Sequence, residues 1–342
     1  PVRLRVIGEI AAGPRKTDPP PLAGNMAYRI LTGASIPRGV DTVVPQELVK
    51  LEGDSIRLEA PVLVRRNIRY AGEELKRGDV LAAPGQRVSP GLLAALMAAG
   101  THTLRVYRRP RVGVLVTGDE VVPAGQLPAE GQVHDANAPL IRNWMVALGY
   151  PAPTVSYVKD VRRDVETALA AALDSSDLVI TSGGVSVGSR DYLPVSAQAC
   201  GVRRIFWKVA QKPGKPLFFG LRDKTPLLAL PGNPAAVLVG LVIHARRVLD
   251  CLEGVTTPGP RMSPGRLLQS VKADPLRDRL VRMNLSISAE GVVHLDPLPK
   301  QESHMLSNLA TAMALVMLPA REREYSTDER VLWTPLPGVT RI

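Results

Sequence analysis

The sequence has few cysteines, few aromatic residues and no long apolar segment. Its two cysteines, Cys200 and Cys251, form no Cys-x-x-Cys pair that could bind zinc, and we expect two buried free thiols. Aromatic residues make up only 4% of the chain, too few for the stacking platforms of single-strand binders. No apolar run approaches the roughly 20 residues that span a bilayer, and no signal-peptide pattern occurs. These absences predict a cytoplasmic protein with neither a membrane nor a nucleic-acid partner.

Two common nucleotide-binding motifs are also missing. There is no GxxxxGK[ST] segment, and no GxGxxG lies between a strand and a helix, which excludes a P-loop and a Rossmann dinucleotide site. The histidines show no metal-ligand spacing and build no Ser-His-Asp arrangement. The formal net charge of +11 favours an anionic ligand, although Lys and Arg are scattered rather than gathered into blocks. A phosphorylated ligand would therefore be bound by other means.

Hydrophobic periodicity divides the chain into four parts. The first consists of short strands broken by turns, and the second combines a turn and strand with a helix. The third alternates strands with helices, as in a parallel sheet covered on both faces. The fourth returns to alternating strands typical of a small β-barrel or sandwich. We predict a multidomain α/β protein with parts at 1–70, 71–108, 109–257 and 258–342.

Several individual elements follow from these patterns. In the first part, residues 41–49 and 61–70 are predicted to be strands. In the second, residues 72–81 are predicted to form a turn and strand, and 90–100 a helix with proline at its start and glycine at its end. In the fourth, SHMLSNLATA is predicted to contain a short helix.

Three turns rich in glycine and proline each follow an apolar or β-branched run. They are SGGVSVGSRDY at Ser182–Tyr192, KPGKP at Lys212–Pro216 and LPGNP at Leu230–Pro234. Loops at the carboxyl ends of parallel strands meet at one edge of the sheet, where ligands bind. We therefore expect these turns to bring backbone amides, lysines and a carboxylate to a phosphorylated ligand.

The first turn has the features of a phosphate cradle, because its glycines leave room for oxygens to approach main-chain N–H groups. An ordinary strand-to-helix turn is the alternative. Asp191 at its end would repel a phosphate unless a cation intervened, and Mg²⁺ resolves that conflict. Glu120, in the turn after VGVLVT, is the natural second carboxylate, but a solvated turn accounts for it equally well. The predicted cradle comprises Ser182, Gly183, Gly184, Ser186 and Gly188.

The other two turns provide positive charge and rigid walls. Three lysines near one Pro-Gly turn would repel one another without an oxyanion partner, although charge runs are often only solvated surface. In the third turn, two prolines restrict the backbone and an asparagine is suited to cap the helix that follows. These residues are Lys208, Lys212 and Lys215, and Pro231, Asn233 and Pro234.

Seven segments, spread in order along almost the whole chain, resemble the MoeA and gephyrin E-domain family of molybdopterin molybdenumtransferases. The resemblance implies that Mg²⁺ and molybdate are used to convert adenylylated molybdopterin into molybdenum cofactor, with release of AMP. It also implies a central MogA-like three-layer α/β domain with a parallel-rich sheet, flanked by a small β-rich domain, a small α/β linker domain and a C-terminal β-barrel-like domain. The segments are TGASIPRGVDTVVPQE, RPRVGVLVTGDEVV, VHDANAPLI, DLVITSGGVSVGSRDY, KVAQKPGKPLFFG, LPGNPAAVLVG and QESHMLSNLATAMALVMLP.

The resemblance also implies particular site residues and partners. Members of the family are homodimers whose site lies at the subunit interface, so that Thr32 of one subunit would act on the site of the other. A molybdopterin adenylyltransferase and molybdoenzyme acceptors are the implied partners. Mg²⁺ would be held by Glu120 and Asp191. The implied site comprises Thr32, Glu120, Asp160, Asp191, Lys208, Lys212, Pro231, Pro234, Arg282 and Ser303.

Two features differ from the family pattern, and other interpretations stay open. The family has an active-site aspartate in a DGYA motif that would precede Pro1, and Glu74 stands where the family usually has aspartate. A gephyrin-like scaffold or cofactor-binding protein without catalysis is one alternative. Adenylyl transfer by the sheet region alone, at 110–254, is another. Nucleotide affinity that depends on Mg²⁺ would separate the enzyme from the scaffold.

Overall fold

The computed structural model describes residues 1–185 and 191–338, which divide into two compact units. Ser186 and Gly188 of the predicted cradle lie outside the described residues. The larger unit contains most of the predicted site residues, whereas Thr32 and Glu74 belong to the smaller one. The smaller unit comprises Pro1–Leu81 and Ala95–Gly100, and the larger comprises Ala82–Ala94 and Thr101–Ile342.

The smaller unit contains a four-stranded mixed sheet. Its first strand pairs in parallel with the second and antiparallel with the fourth, and the third and fourth form a hairpin. Salt bridges between exposed side chains cross the sheet, as between Arg3 and Glu52. The strands are β1 (Val2–Ile10), β2 (Met26–Ile30), β3 (Val49–Glu52) and β4 (Ser55–Leu58), in the spatial order β2-β1-β4-β3.

Two strands predicted for this unit are wrong. Residues 41–48 contain only a short 3₁₀ turn before β3, and residues 61–70 form turns. Pro45 lacks the N–H that a ladder needs, and Arg65 and Asn67 have φ angles of 66° and 56°, in the left-handed region that a strand excludes. The two segments are instead joined by isolated hydrogen bonds.

The predicted strand within 72–81 is also not formed, whereas the predicted helix after it is confirmed. Residues 71–89 form turns, and helix α1 (Pro90–Ala98) follows with proline at its first position. Gly100, two residues past the helix, has a φ of 82° that favours glycine as a stop.

A six-stranded sheet with helices on both faces is the centre of the larger unit. β-branched and leucine residues fill its inner strands, which are buried on both faces, as expected of a parallel sheet. The elements are β5 (Val112–Thr117), β6 (Val121–Val122), β7 (Val133–His134), α2 (Asn137–Ala147), β8 (Thr154–Val158), α3 (Arg162–Ser175), β9 (Leu178–Ser182), α4 (Leu193–Ala199), β10 (Arg203–Trp207), β11 (Gln211–Lys212), β12 (Phe218–Arg222), β13 (Thr225–Leu230), α5 (Pro234–Val239) and α6 (Arg246–Leu252).

The strand order of this sheet is β10-β12-β13-β9-β5-β8. The strands β13, β9, β5 and β8 run parallel, and β10 and β12 add an antiparallel edge. One core packs Ile141 and Met145 of α2 against one face, and another packs Leu169 of α3 and Leu193 of α4 against the other. The predicted three-layer arrangement with a parallel-rich sheet is therefore confirmed.

The last part of the chain forms a closed five-stranded barrel, as predicted. Its longest strand pairs antiparallel with two others, so that the ring of strands has no free edge. The short strand β11 joins that longest strand from outside, in parallel. A 3₁₀ turn at Ser307–Ala310 lies within the predicted short helix. The barrel strands are β14 (Ser263–Leu267), β15 (Asp278–Ile287), β16 (Val293–Pro297), β17 (Ala314–Leu318) and β18 (Arg330–Pro335).

The two cysteines differ from expectation, because Cys200 is half-buried and Cys251, in α6, is exposed. Both are free thiols. Within residues 1–185 and 191–338, no helix is both long enough and apolar enough to cross a membrane.

A π-helical segment, Gly240–Ala245, joins α5 to α6 and carries His244. Burial, and secondarily the positive charge of Arg247, lower the pKa of His244 to about 4. The unfolded chain therefore binds a proton more readily between about pH 6.5 and pH 4, so His244 should reduce stability as pH falls through that range.

We predict that His244→Gln, which keeps a polar side chain but cannot titrate, flattens this loss. Between pH 6.5 and pH 4 the free energy of unfolding of the wild type should fall by up to roughly 3 kcal/mol more than that of the variant. Each pH unit over which the unfolded state binds one proton more than the folded state contributes about 1.4 kcal/mol. Urea unfolding of both proteins at several pH values measures the difference. Parallel pH profiles would contradict the prediction.

Candidate functional site

The carboxyl ends of β5, β9 and β13 meet at one edge of the sheet. A Cβ on Gly183 would lie 2.6 Å from the carbonyl oxygen of Thr117, and one on Gly184 would lie 2.9 Å from the Thr117 hydroxyl. Gly183 and Gly184 have φ angles of 96° and 66°, so both space and backbone conformation require glycine. Gly183 N–H donates to Leu230 of β13 at 3.1 Å, and Gly232 lies against Gly183. The first and third glycine turns are therefore neighbours.

Two buried oxygens at this edge have no hydrogen-bond partner among the described residues. They are Thr117 Oγ1 and Asn137 Oδ1. The Asn137 amide nitrogen donates to Ser182 Oγ and to the Gly232 carbonyl, each at 2.7 Å. Because a carbonyl oxygen only accepts, these bonds fix the orientation of the amide and leave its oxygen unpaired. The two oxygens form a polar floor at the sheet edge. Because an unsatisfied buried acceptor costs about 1–3 kcal/mol, this floor is a place where a ligand or water is accommodated.

Asp135 fixes the start of α2 beneath this floor. Its carboxylate accepts from the N–H groups of Asn137, at 2.8 Å, and Ala138, at 3.2 Å, so it neutralises the helix N-terminus. It also accepts from the Tyr157 hydroxyl at 2.9 Å. Burial, together with the hydrogen bond to Asp135, raises the pKa of Tyr157 to about 12. The neutral phenol therefore persists as a donor at neutral pH.

The sequence patterns assigned no role to Thr117, Asp135, Asn137 or Tyr157. A signal was present, because Asp-Ala-Asn stands where α2 begins and directly follows the short strand β7. Asp and Asn in that position are typical of helix capping, which hides their second role at the sheet edge. The parallel pairing of β6 and β7, which brings this segment to the edge, could not be recognised from two-residue strands.

Acidic side chains from three strand ends form a cluster beside the glycine turns. A Cβ on Gly118 would lie 2.8 Å from Glu120 Oε2, so the Glu120 carboxylate lies directly against this glycine. The backbone N–H of Asp160 donates to Asp119 Oδ1 at 3.2 Å. Burial raises the pKa of Asp160, and the negative charges of Asp119, Glu120 and Asp191 raise it further. Asp119, Glu120 and Asp191 therefore lie within electrostatic range of Asp160.

This cluster has the donor chemistry of a hard cation site. Carboxylate oxygens are the ligands that Mg²⁺ prefers. Burial raises the pKa of Asp160, and the neighbouring negative charges, which a cation would offset, raise it further. In the described parts of the chain, no group of three His, Cys, Asp or Glu side chains is arranged so that it could hold a metal ion. Mg²⁺ is commonly held by one or two carboxylates with substrate phosphates and water, so Glu120 and Asp191 fit as a partial ligand set.

The three predicted lysines lie on one loop, where their side chains are exposed. The loop closes through a hydrogen bond from Val209 N–H to Lys215 O at 2.9 Å, and Lys208 N–H donates to Leu217 O at 2.8 Å. Lys212 forms part of β11, which was not predicted. An open groove of about 420 Å³ adjoins the loop, and its walls are Lys208, Val209, Ala210, Lys215, Leu276 and Arg277. The loop therefore faces the barrel.

The third turn contacts the barrel through Asn233 and Ser303. Asn233 Nδ2 donates to Ser303 Oγ at 3.0 Å, and Ala235 N–H donates to Ser303 O at 3.1 Å. Asn233 occupies the N-cap position of α5, but its side chain makes no capping bond, so that expectation is wrong. Pro231 is buried and Pro234 is the first residue of α5.

Arg282, predicted to bind substrate, is completely buried in β15. Its Nη2 donates to Lys300 O at 2.9 Å, whereas Nε and Nη1 have no partner among the described residues. Burial lowers the pKa of Arg282. Gln301 Nε2 donates to the carbonyl oxygen of Arg282 at 2.7 Å, and the backbone N–H of Arg282 donates to Gln301 Oε1 at 3.1 Å. Arg282 thus lies beneath the segment that leads to Ser303.

Thr32 and Glu74 belong to the smaller unit. Thr32 is exposed in the turn that follows β2, beside Gly33 with a φ of 87°. Glu74 is exposed in the turns after residue 70.

Comparison with protein families matches three family models along the chain. Residues 5–100 match the MoeA N-terminal region (domain I and II), and residues 113–250 match a probable molybdopterin binding domain. Residues 264–336 match the MoeA C-terminal region (domain IV). The matched segments follow the same order as the sheet of the smaller unit, the six-stranded sheet and the barrel.

Relatives of known name support the same assignment. The chain is 31% identical to a molybdopterin molybdenumtransferase of Staphylococcus aureus, over 96% of this chain and 78% of that protein. It is 33% identical to one of Haemophilus influenzae, over 90% of this chain and 77% of that protein. A solved MoeA protein of molybdopterin biosynthesis from Pyrococcus horikoshii superimposes with a TM-score of 0.80 at 26% identity, over 99% of this chain and 82% of that one.

The fold and these relatives define a protein of molybdenum cofactor biosynthesis. The chain belongs to the MoeA family of molybdopterin molybdenumtransferases.

We predict that Gly183→Ala disrupts the sheet edge. The new methyl group would lie 2.6 Å from Thr117 O at a φ of 96°. Gly131→Ala is the matched control, because Gly131 has a φ of 80° but a Cβ added there would have nothing within 4 Å. The control should lose about 1 kcal/mol from backbone strain, and Gly183→Ala clearly more, in urea unfolding. Equal losses would show that the close approach to Thr117 is unimportant.

Proposed function

We propose that this chain inserts molybdate into adenylylated molybdopterin and releases AMP in a Mg²⁺-dependent reaction. One observation carries the proposal: carboxylates that follow separate strands lie beside a glycine turn, where burial raises the pKa of Asp160 and the charges of Asp119, Glu120 and Asp191 raise it further. Such a cluster is stable next to a phosphate group only when a cation is shared between them. Membership of the MoeA family supports this substrate class.

Glu120 and Asp191 are the proposed Mg²⁺ ligands. When bound, Mg²⁺ supplies positive charge to a pyrophosphate whose anhydride bond is breaking. The bond from Asp160 N–H to the Asp119 carboxylate joins the turn after β8 to the turn that carries Glu120. The glycine turn, with Ser182, Gly183 and Gly184, provides backbone N–H groups and space for the phosphate oxygens. Ser186 and Gly188 belong to the same proposed cradle.

The lysine loop is the proposed molybdate-binding element. Lys208, Lys212 and Lys215 place mobile positive charges near one turn, which suits a tetrahedral oxyanion. A positioned water attacks the adenylyl phosphorus, the anhydride P–O bond breaks with the molybdopterin phosphate as the leaving group, and the water oxygen ends in AMP. If a molybdate oxygen attacks the same phosphorus, the molybdopterin phosphate again leaves, and water then hydrolyses the adenylyl–molybdate anhydride to AMP and molybdate. Pro231, Asn233, Pro234, Arg282 and Ser303 shape the wall where the third turn meets the barrel.

We propose a homodimer for the working protein. Thr32 lies exposed on the smaller unit, and the family resemblance implies that it acts on the site of a second subunit. A molybdopterin adenylyltransferase would supply the adenylylated substrate, and molybdoenzymes would accept the product.

Asp191→Asn should abolish molybdate-dependent AMP release while the fold stays intact. The substitution is nearly isosteric but removes one of the two proposed metal ligands, and losing such a contact typically costs about a hundredfold or more in rate. The measurement is AMP release from adenylylated molybdopterin with molybdate and Mg²⁺. Asp164→Asn, at an exposed position in α3, is the matched control and should keep its activity.

Near-normal AMP release by folded Asp191→Asn would contradict the metal role. Binding of AMP with and without Mg²⁺ distinguishes the enzyme from a scaffold. The proposed enzyme should bind AMP more tightly with Mg²⁺, and Glu120→Gln should remove that gain. A protein whose nucleotide affinity ignores Mg²⁺ would favour the non-catalytic scaffold.

A further inference from the structure

Gln211, at the start of the lysine loop, is buried, and its amide has a defined orientation. Its Nε2 donates to the carbonyl oxygen of Pro213 at 3.1 Å. A Cβ on Gly214 would lie 2.6 Å from the same Nε2, so the amide fills the space inside the turn. Since a carbonyl oxygen only accepts, Nε2 faces the turn and Oε1 faces away from it. The Gln211 side chain therefore supports the Lys212–Lys215 turn from inside.

His244 contacts the other end of the Gln211 amide. Its Nε2 lies 2.8 Å from Gln211 Oε1, and because Oε1 can only accept, the histidine donates. His244 projects from the π-helical segment between α5 and α6, and such segments frequently occur at functional sites. A chain of hydrogen bonds thus runs from this π-helical segment through Gln211 to the backbone of the turn.

A second support comes from the barrel. Gln211 and Lys212 form β11, which pairs with Asp278 and Arg279 of β15. Asp278 N–H also donates to Ala210 O at 2.9 Å. The pairing with the barrel therefore reaches Lys212, the first residue of the turn. The contact between His244 and Gln211 supports the next residue, because Gln211 Nε2 bonds to the carbonyl oxygen of Pro213.

We propose that His244 and Gln211 are positioning residues that hold the lysine turn in the conformation that binds an oxyanion. Neither side chain touches the ligand. The pair acts by fixing the carbonyl of Pro213, and with it the directions in which Lys212 and Lys215 leave the turn. The oxyanion part of this inference rests on the proposed function of the loop, whereas the positioning of the turn does not.

Amide hydrogen exchange tests the positioning without any ligand. The N–H groups of Val209 and Leu217 bond to Lys215 O and Gly214 O, so they report on closure of the turn. In His244→Leu, Gln211 Oε1 loses its donor, and exchange at both amides should accelerate about tenfold. His244→Gln retains a donor and should restore slow exchange. His102→Leu, at an exposed histidine, is the control and should change neither amide.

Molybdate affinity tests the consequence for binding, with isothermal titration calorimetry as the readout. His244→Leu should weaken molybdate binding about tenfold and lower the melting temperature. The double variant Gln211→Met/His244→Leu replaces both polar partners by apolar groups, a change that is often nearly neutral for stability. It should therefore recover most of the melting temperature but not the molybdate affinity, because nothing then holds Pro213 O.

Two results would overturn the inference. One is unchanged exchange of Val209 and Leu217 in folded His244→Leu. The other is a double variant that binds molybdate as tightly as the wild type, which would reduce the pair to a space-filling role. A wild-type protein that binds no molybdate would instead contradict the proposed function, and the exchange result alone would then decide the positioning role.

Discussion

Mutual repulsion among carboxylates is the constraint on which the functional interpretation depends. Parallel strands place Asp119 and Glu120, Asp160 and Asp191 at one edge of the sheet, where burial and the neighbouring charges raise the pKa of Asp160. A fold stabilised only for its own sake would separate these groups or pair them with arginine. Their collection beside a glycine turn has a physical reason when a divalent cation and a phosphate group complete the site.

The structure around the carboxylates provides polar groups, space and positive charge for an anionic ligand. Buried Thr117 and Asn137 oxygens form a polar floor, and Gly183 and Gly184 let the backbone of one strand end approach the next. Positive charge comes from a separate loop. This loop pairs with the barrel through β11 and contacts the π-helical segment between α5 and α6 through His244. The carboxylates, the glycine turn and the lysines therefore come from different elements, and the sheet and barrel together set their arrangement.

The alternating strand and helix patterns of residues 109–257 were sufficient to predict the central sheet, since fully apolar strands and glycine-ended helices leave little choice. Segments 41–49 and 61–70 also contain short apolar runs, yet Pro45 and the left-handed Arg65 and Asn67 prevent pairing, and φ angles are not readable from composition. The carboxylates were predictable as turn residues after strands. The roles of Asn137 and Gln211 were not, because each depends on contacts between segments distant in the chain.

The most direct test of the central claim is a crystal structure with AMP and Mn²⁺ in place of Mg²⁺, because anomalous scattering locates Mn²⁺ without assumptions about its ligands. The account predicts one ion within about 2.5 Å of carboxylate oxygens from both Glu120 and Asp191 and in contact with a phosphate oxygen of AMP. An ion bound by neither residue, or a nucleotide that lies between Glu120 and Asp191 with no shared cation, would contradict it.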